Sequence, residues 1–236
     1  ELTGETNINA TGNTLDNVMI GNTGDNILGG LEGNDYLYGA EGTNTLIGGT
    51  GDDLYVVESE TNTIIENANE GTDEVLSEVN YTLPENVENL ELTGFENVTG
   101  TGNSADNILI GNYGDNTLSG QGGNDTLDGS YGSDTLIGGT DEDTYLLEWY
   151  TGSDIIQEIG NDIDTLQFGE DIKLNDISLS RVENSLIIAV SKFGSDVTIE
   201  NYFVSDEQKV EKLVFADETE VMLSSLFVEA TIEADT

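Results

Sequence analysis

The sequence predicts an all-β chain, a right-handed parallel β-roll or β-solenoid with a C-terminal β-rich capping domain. Three observations predict it. Ten nonapeptides stand in two blocks of five, at residues 12–56 and 102–146, and every one opens on Gly. The eighth residue of each is apolar or Tyr. After about residue 165 this register is lost, alternating apolar runs take over, and all five basic residues appear, from Lys173 on. Self-similarity at a fixed short period is the mark of stacked repeats.

The nonapeptides define the first element. The second block reads GNSADNILI, GNYGDNTLS, GQGGNDTLD, GSYGSDTLI and GGTDEDTYL. Position four is Gly in seven of the ten, among them Gly33, Gly51, Gly123 and Gly132; the exceptions are Leu15, Ala105 and Asp141. Gly at positions one and four permits backbone angles that a Cβ resists, so six residues make a tight open turn. The last three make a short strand with one side chain inward. Two nonapeptides then form an 18-residue coil, and successive coils pair as parallel strands about 4.8 Å apart. One repeat cannot bury its own apolar face, so several must stack.

The two blocks are related by an offset of 90 residues, which also relates Glu1-Leu-Thr-Gly4 to Glu91-Leu-Thr-Gly94. Beyond the second block the echo needs a one-residue insertion, which sets Ile64-Ile65-Glu66 against Ile155-Ile156-Gln157. Repetition on this scale leads us to expect a piece of a longer array. Glu1 is followed by no basic leader or apolar run, so no N-terminal signal peptide is expected. The first array is assigned to residues 1–56. Residues 57–101 keep no Gly register but are strand-like at Ile64-Ile65, Val75–Val79, Tyr81–Leu83 and Leu90–Leu92, with a turn at Pro84. They read equally as metal-free coils that continue the solenoid or as a linker hairpin. The second array is assigned to 102–164 and the cap to 165–236. There Ile177–Val182, Leu186–Val190, Val197–Ile199 and Leu213–Phe215 read as antiparallel strands, covering edges that would otherwise aggregate.

Charge narrows the partners. The formal net charge is −43, and the first 172 residues hold 35 of the 48 carboxylates with no Lys or Arg. Such a surface excludes nucleic acid and anionic membrane, which need basic contacts. No apolar run is long enough to span a bilayer. There is no Cys and no His, which removes disulfides, thiol chemistry and the commonest zinc ligand. Position six carries Asp at Asp35, Asp53, Asp125, Asp134 and Asp143, and Asn at Asn17, Asn26, Asn44, Asn107 and Asn116. Turns on one side of the coil are 18 residues apart, so Asp35 faces Asp53, Asp125 faces Asp143, and Asn116 faces Asp134. Two facing carboxylates with no base nearby repel by several kcal/mol at an effective dielectric of about 20. A hard divalent cation between the turns removes that repulsion. Calcium suits it, because it takes six to eight oxygens, backbone carbonyls included; magnesium demands stricter geometry. Asp125–Asp143 and Asn116–Asp134 fall on opposite sides of the coil, which predicts at least two ions. The Asn26–Asn44 pair is expected to be empty or to draw on Asp25.

Other chemistries fit less well. A phosphate-cradling Gly loop needs a following helix and a base, and an EF-hand needs a Glu-closed loop between helices. Carboxylate pairs can hydrolyse glycosides, but among 48 carboxylates a pair carries no information, so no enzyme activity is expected. An ice-binding file is broken at position three (Thr14, Thr23, Glu32, Glu41, Thr50). Tyr55 and Tyr145, at position eight of each final repeat, read as end-of-core packing.

The pattern Gly-Gly-x-Gly-x-Asp-x-apolar-x, best matched by Gly48–Val56, resembles the nonapeptides of the RTX, or haemolysin-type, calcium-binding proteins. Tyr81–Gly94 is similar to the spacer of very long RTX exoproteins. Residues from about 165 to 228, especially Phe215-Ala-Asp-Glu-Thr, resemble the domain that often closes such arrays. The resemblance implies calcium held between turns by position-six side chains and by turn carbonyls at Gly30, Gly33, Gly48, Gly51, Gly120, Gly123, Gly129, Gly132 and Gly138. It also implies type I secretion, folding outside the cell, and service to a larger exoprotein. The alternative is an adhesive module whose cap or spacer binds an extracellular glycan or protein.

Overall fold

The computed structural model describes residues 1–148, 152–192 and 194–227. Short strands and three 3-10 turns make up its regular structure, with no α-helix among the described residues. As far as Thr165–Phe168, consecutive strands alternate between two walls. One wall is an eleven-stranded sheet running the length of the molecule, from Val18–Ile20 to Glu220–Met222. The other is in two pieces: four strands from Ala10–Thr11 to Thr63–Ile65, then eight that begin at Tyr81–Thr82.

The nine-residue period sets the register. Val18 pairs with Tyr36 and Tyr36 with Leu54 on one wall; Ile27 pairs with Thr45 and Thr45 with Thr63 on the other. Each coil therefore lays position eight on position eight. Met19, Leu28, Leu37, Leu46 and Tyr55 in the first array, and Leu109, Leu118, Leu127, Leu136 and Tyr145 in the second, form one buried central file. That file is the core, and burying it at about 25 cal/mol per Å² of apolar surface is the main drive to stack.

Residues 57–101 are coils of the same solenoid, not a hairpin. Glu74–Ser77 pairs in parallel with Leu54–Val57 and with Asn89–Leu92, which pairs in turn with Ile108–Ile110. Tyr81–Thr82 and Thr99–Thr101 do the same on the opposite wall. Without the Gly turns the coil length varies, and the opposite wall breaks between Thr63–Ile65 and Tyr81–Thr82.

The cap differs from expectation at its seam. Ile177–Val182, Ser185–Val190 and Ser195–Ile199 form an antiparallel meander. Ser195–Ile199, however, also pairs in parallel with Ser153–Gln157, and Lys212–Val214 pairs in parallel with Thr165–Phe168 before turning antiparallel to Glu220–Met222. The runs at Val197–Ile199 and Leu213–Phe215 thus extend the parallel walls. Each open wall offers an edge, and the chain returns from a long excursion to pair with it. The walls run on past residue 165, and Phe168 and Phe215 stack at 4.9 Å across the join. The end of the sequence-assigned cap, 228–236, lies outside the described residues, as does any export signal there.

Candidate metal centre

Position six stands just before each strand, and its side chain turns inward. Asp35, Asp53, Asp125, Asp134 and Asp143 are all fully buried. One oxygen of each is held by the coil before it. The backbone N–H of Asn17 donates to Asp35 Oδ1 at 2.7 Å and that of Asp35 to Asp53 Oδ1 at 2.6 Å. In the second array Asn107 donates to Asp125 at 2.7 Å and Asp125 to Asp143 at 2.8 Å. Across the core Asn116 donates to Asp134 at 2.7 Å and Asn26 to Asn44 at 2.9 Å. The 18-residue pairs are therefore vertical neighbours in two columns, one under each wall.

The second oxygen is orphaned. Oδ2 of all five aspartates is buried without a hydrogen-bond partner. Burial pushes these carboxyls up, Asp53 to about 6 and Asp125, Asp134 and Asp143 to about 7, with Asp35 raised as well. Facing carboxylates add to the shift: Asp35 acts on Asp53, and Asp125 on Asp143. The described ion pairs, Lys192–Asp171, Lys209–Asp206 and Lys212–Glu220, all lie in the cap.

The position-one glycines are explained by this oxygen rather than by backbone angle. A Cβ on Gly30 would stand 1.9 Å from Asp35 Oδ2, and one on Gly120 2.0 Å from Asp125 Oδ2. Gly48, Gly129 and Gly138 have the same relation to Asp53, Asp134 and Asp143. At position four the reason is conformational: Gly33, Gly51, Gly123 and Gly132 have φ between 100° and 131°. Asp141, which replaces Gly there, adopts φ 81° and keeps the turn.

Asn44 reports what surrounds the orphaned oxygen. Its Oδ1 accepts the Asn26 N–H, which fixes the amide the same way round as an aspartate of the array. Its Nδ2 then lies where the aspartates put Oδ2, against the position-one Gly39. From there it donates to the carbonyls of Glu41 at 3.0 Å and Ala40 at 3.4 Å. The cradle is thus lined by turn carbonyls. An amide satisfies them; an ionised carboxylate oxygen adds a further acceptor, which needs a cation or its own proton to be satisfied. The first turns of each array also carry amides, but the other way round: Oδ1 of Asn26, Asn107 and Asn116 accepts the position-two N–H of its own turn, and Nδ2 reaches the coil before. Asn26 Nδ2 donates to Ile8 O at 2.8 Å, Asn116 Nδ2 to Val98 O at 3.3 Å, and Asn107 Nδ2 to Glu88 O at 3.1 Å. Asn17 Oδ1 accepts the Asn13 N–H at 2.7 Å. Asp25 stays at the exposed surface, accepting the Thr43 N–H at 2.9 Å.

The columns also run past the nonapeptides, which the sequence reading missed. Asp53 N–H donates to Asp73 Oδ1 at 2.8 Å and Asp73 N–H to Glu88 Oε2 at 2.8 Å. Beyond the second array Asp134 donates to Asp154, Asp143 to Asp164, and Asp164 to Glu211 of the cap. The missed signal is the triplet carboxylate or amide–x–apolar, as in Asp73-Glu74-Val75 and Asp164-Thr165-Leu166, which survives when the glycines do not. The pairing also corrects the echo between arrays. Leu46 pairs with Ile64 and Leu136 with Ile156, so Glu66 corresponds to Glu158, not Gln157. Both glutamates turn inward and accept a hydrogen bond from the hydroxyl of a buried tyrosine, Tyr55 or Tyr145. The tyrosines are core residues, as expected, but with a polar duty as well.

Buried, anionic, oxygen-only cradles are what a hard cation needs. The RTX calcium-binding nonapeptide repeat family matches this chain four times, at residues 11–46, 20–55, 101–136 and 110–145. The two arrays are RTX calcium-binding repeats. Their metal is calcium. Similar proteins include two from Rhizobium meliloti (strain 1021): endo-1,3-1,4-beta-glycanase EglC, 45% identical over 62 residues, and endo-1,3-1,4-beta-glycanase ExsH, 46% identical over 61. Each match covers 26% of this chain and 13% of the relative. The extracellular lipase LipA from Serratia marcescens has a solved structure that aligns with 88% of this chain and 40% of its own, at 19% identity and a TM-score of 0.38. No helix among the described residues is long and apolar enough to cross a membrane.

Proposed function

We propose that this RTX segment is a folding module that assembles on calcium outside the cell and serves the secretion, folding and spacing of a larger exoprotein. One observation carries the reading: five fully buried carboxylates, each with one oxygen unpartnered and no base in reach. Each such acceptor costs on the order of 1–3 kcal/mol, more when charged. The metal-free array is therefore poised against folding, and calcium-binding free energy becomes folding free energy. Extracellular calcium modules bind at about 10⁻⁴–10⁻³ M, so a calcium-poor cytoplasm keeps the chain extended for export and a millimolar exterior folds it. We assign the ions to Asp35–Asp53, Asp125–Asp143 and Asp134, with carbonyls of the turns opened by Gly30, Gly48, Gly120, Gly129 and Gly138 completing the shells. Asn44 leaves the ligand set, because its amide already satisfies the cradle, and Asn26 leaves it because its Oδ1 already accepts the Asn22 N–H. The module itself is not catalytic; the glycanase names of its relatives belong to proteins seven-eighths of which lie outside the matched stretch.

The test is circular dichroism with calcium and chelator. Strand signal should appear on calcium addition and vanish with chelator, and a chelator-insensitive spectrum would sink the proposal.

The adhesive alternative has one specific observation in its favour. Phe95, Tyr113 and Tyr131 form an outward file, their rings 5.2 and 4.7 Å apart, with Phe95 77% exposed. Because the rings stack on one another, only edges and one end face are free, which suits a glycan poorly. Glycan-array binding that is lost with Tyr113→Ser while the calcium-loaded spectrum is retained would favour adhesion.

A further inference from the structure

The calcium reading accounts for the position-six pairs. It leaves over a constellation that occurs twice, once where each array ends. Asp53, Glu66 and Asp73 each present an oxygen within 4.8 Å of the other two, and so do Asp143, Glu158 and Asp164. All six residues are buried. The two sets come from dissimilar sequence: Thr-Ile-Ile-Glu66-Asn-Ala in one case, Ile-Gln-Glu158-Ile-Gly in the other.

Their construction follows one plan. The last repeat of each array, Gly48–Val56 or Gly138–Leu146, places Tyr at position eight where the others place Leu or Met. Its hydroxyl accepts the position-one N–H, Gly48 to Tyr55 at 2.7 Å and Gly138 to Tyr145 at 2.8 Å. One coil on, the pairing of Ile47 with Ile65 and of Ile137 with Gln157 sets Glu66 beside Gly48 and Glu158 beside Gly138. A glutamate thus takes the place of a position-one glycine and reaches inward to the tyrosine. Asp73 and Asp164 close the third side by accepting the N–H of Asp53 and Asp143.

We propose that each array is closed by a second kind of cation site, formed by Asp53, Glu66 and Asp73 in the first array and by Asp143, Glu158 and Asp164 in the second. Acidic residues in proximity do not by themselves make a site; here independent observations point to a ligand. Glu66 Oε2, which no nonapeptide pair uses, is buried with no partner, and Asp53 Oδ2 and Asp143 Oδ2, already counted for the nonapeptide pairs, face the same clusters unpartnered. In the first set the tyrosine hydroxyl satisfies Glu66 Oε1 and leaves Oε2 without a partner; in the second, Glu158 Oε2 also accepts the Ile159 N–H at 3.0 Å. Three carboxylates supply three to six of the six to eight oxygens calcium takes. The nonapeptide sites tie like coil to like coil. These closing sites tie each array to unlike structure, the first to the spacer strand Glu74–Ser77 and the second to Thr165–Phe168, which carries the cap.

The inference rests on the calcium reading, and the experiment separates the two. Calcium bound by the full chain is counted by equilibrium dialysis in wild type and in the Glu66→Gln/Glu158→Gln pair. Two fewer ions, or two bound at least tenfold more weakly, with the calcium-loaded dichroism spectrum retained, support the closing sites. Terbium in place of calcium gives an independent reading, because tyrosine excitation sensitises nearby terbium. Tyr55→Phe/Tyr145→Phe should lose at least half of the tyrosine-excited emission. Equal ion count and affinity in the Gln pair overturn the proposal; the glutamates are then protonated partners of the tyrosines and nothing more. Should the Gln pair fail to fold, the Phe pair decides, and unchanged emission overturns it. A wild-type chain that binds no calcium overturns the earlier reading instead.

Discussion

The two arrays share their turns, core file and closing tyrosine, yet they differ in which columns are charged. Under the eleven-stranded wall both carry aspartates, Asp35 and Asp53 in the first and Asp125 and Asp143 in the second. Under the other wall the first array reads Asn26, Asn44, Asn62, whereas the second reads Asn116, Asp134, Asp154. The first array thus holds an amide column in the same molecule as carboxylate columns of the same geometry. Asn26 and Asn44 donate N–H groups to Oδ1 of Asn44 and Asn62 at 2.9 and 3.0 Å, in the manner of the aspartates. The comparison teaches that position six has a structural task any side-chain oxygen performs, and a second task that divides Asp from Asn. The Asn44 amide fills its carbonyl cradle itself; the carboxylate recruits an ion to do so.

Breaking the amide column should have the largest effect. Asn44→Asp replaces an Nδ2 donor to Glu41 O and Ala40 O with a buried, unpaired charge. In the absence of metal we expect a loss of about 3 kcal/mol, the scale of stranding one partner of a buried pair. Added calcium should recover most of it and raise the ion count by one. Denaturant melts with and without calcium check this, and a calcium-independent loss would place the damage in packing rather than charge. The converse, Asp134→Asn, should stabilise the metal-free second array and remove an ion.

How much of this was legible follows from what repeats. The period of nine is imposed by the core file and the Gly approach at every coil, so fold, columns and the opposition of Asp125–Asp143 to Asn116–Asp134 could be read from spacing. Asp73, Glu88 and Asp164 could not, because coils of unequal length carry them and register there is kept by strand pairing. Glu158 was misread because the echo was aligned on the Ile-Ile pair, whereas the sheet aligns Ile64 with Ile156. The parallel seam of the cap was illegible for a simpler reason: alternation gives a strand but not its direction.

Next in size is the position-one contact. Gly48→Ala would set its Cβ 2.0 Å from Asp53 Oδ2 and 2.2 Å from the Tyr55 hydroxyl, and Gly138→Ala has a similar contact in the second array. Overpacking of this kind costs about 1–3 kcal/mol. Gly29→Ala is the control, since nothing lies within 4 Å of its Cβ. Thermal melts in calcium should rank the two closing glycines well below Gly29.

pH sharpens the comparison without any mutation. The buried aspartates have folded pKa values above their unfolded ones, near 4, so without metal they bind more protons folded than unfolded. Their contribution to stability is fully present below about pH 4 and is lost as pH rises through about 6 for Asp53 and about 7 for Asp125, Asp134 and Asp143. With three nonapeptide carboxylates in that higher window and no amide column, the metal-free second array should open before the first as pH climbs from 5 to 8. Hydrogen exchange in chelator reads the order directly. Calcium reverses the sign, because it favours the ionised form, so the loaded protein should lose stability on acidification. A metal-free protein most stable at pH 8 would contradict the desolvation account.

The smallest expected effect separates turn strain from metal binding. Position two of the closing turns is left-handed: Gly49 and Gly139 adopt φ of 105° and 125°, while Leu31 and Gln121 are held at 95° and 86°. An L-residue there costs roughly 1–2 kcal/mol, and glycine costs roughly 0.5–1 kcal/mol of extra backbone entropy on folding. Leu31 is half exposed and gives up little packing. Leu31→Gly and Gln121→Gly should therefore each gain a few tenths to about 1 kcal/mol, by these two opposing terms. The gain should appear equally with and without calcium, because position two lends its backbone and not its side chain. If it appeared only in calcium, turn geometry and ion affinity would be one property, and the division between the amide and carboxylate columns would have to be sought in the shape of the turn rather than in the charge at position six.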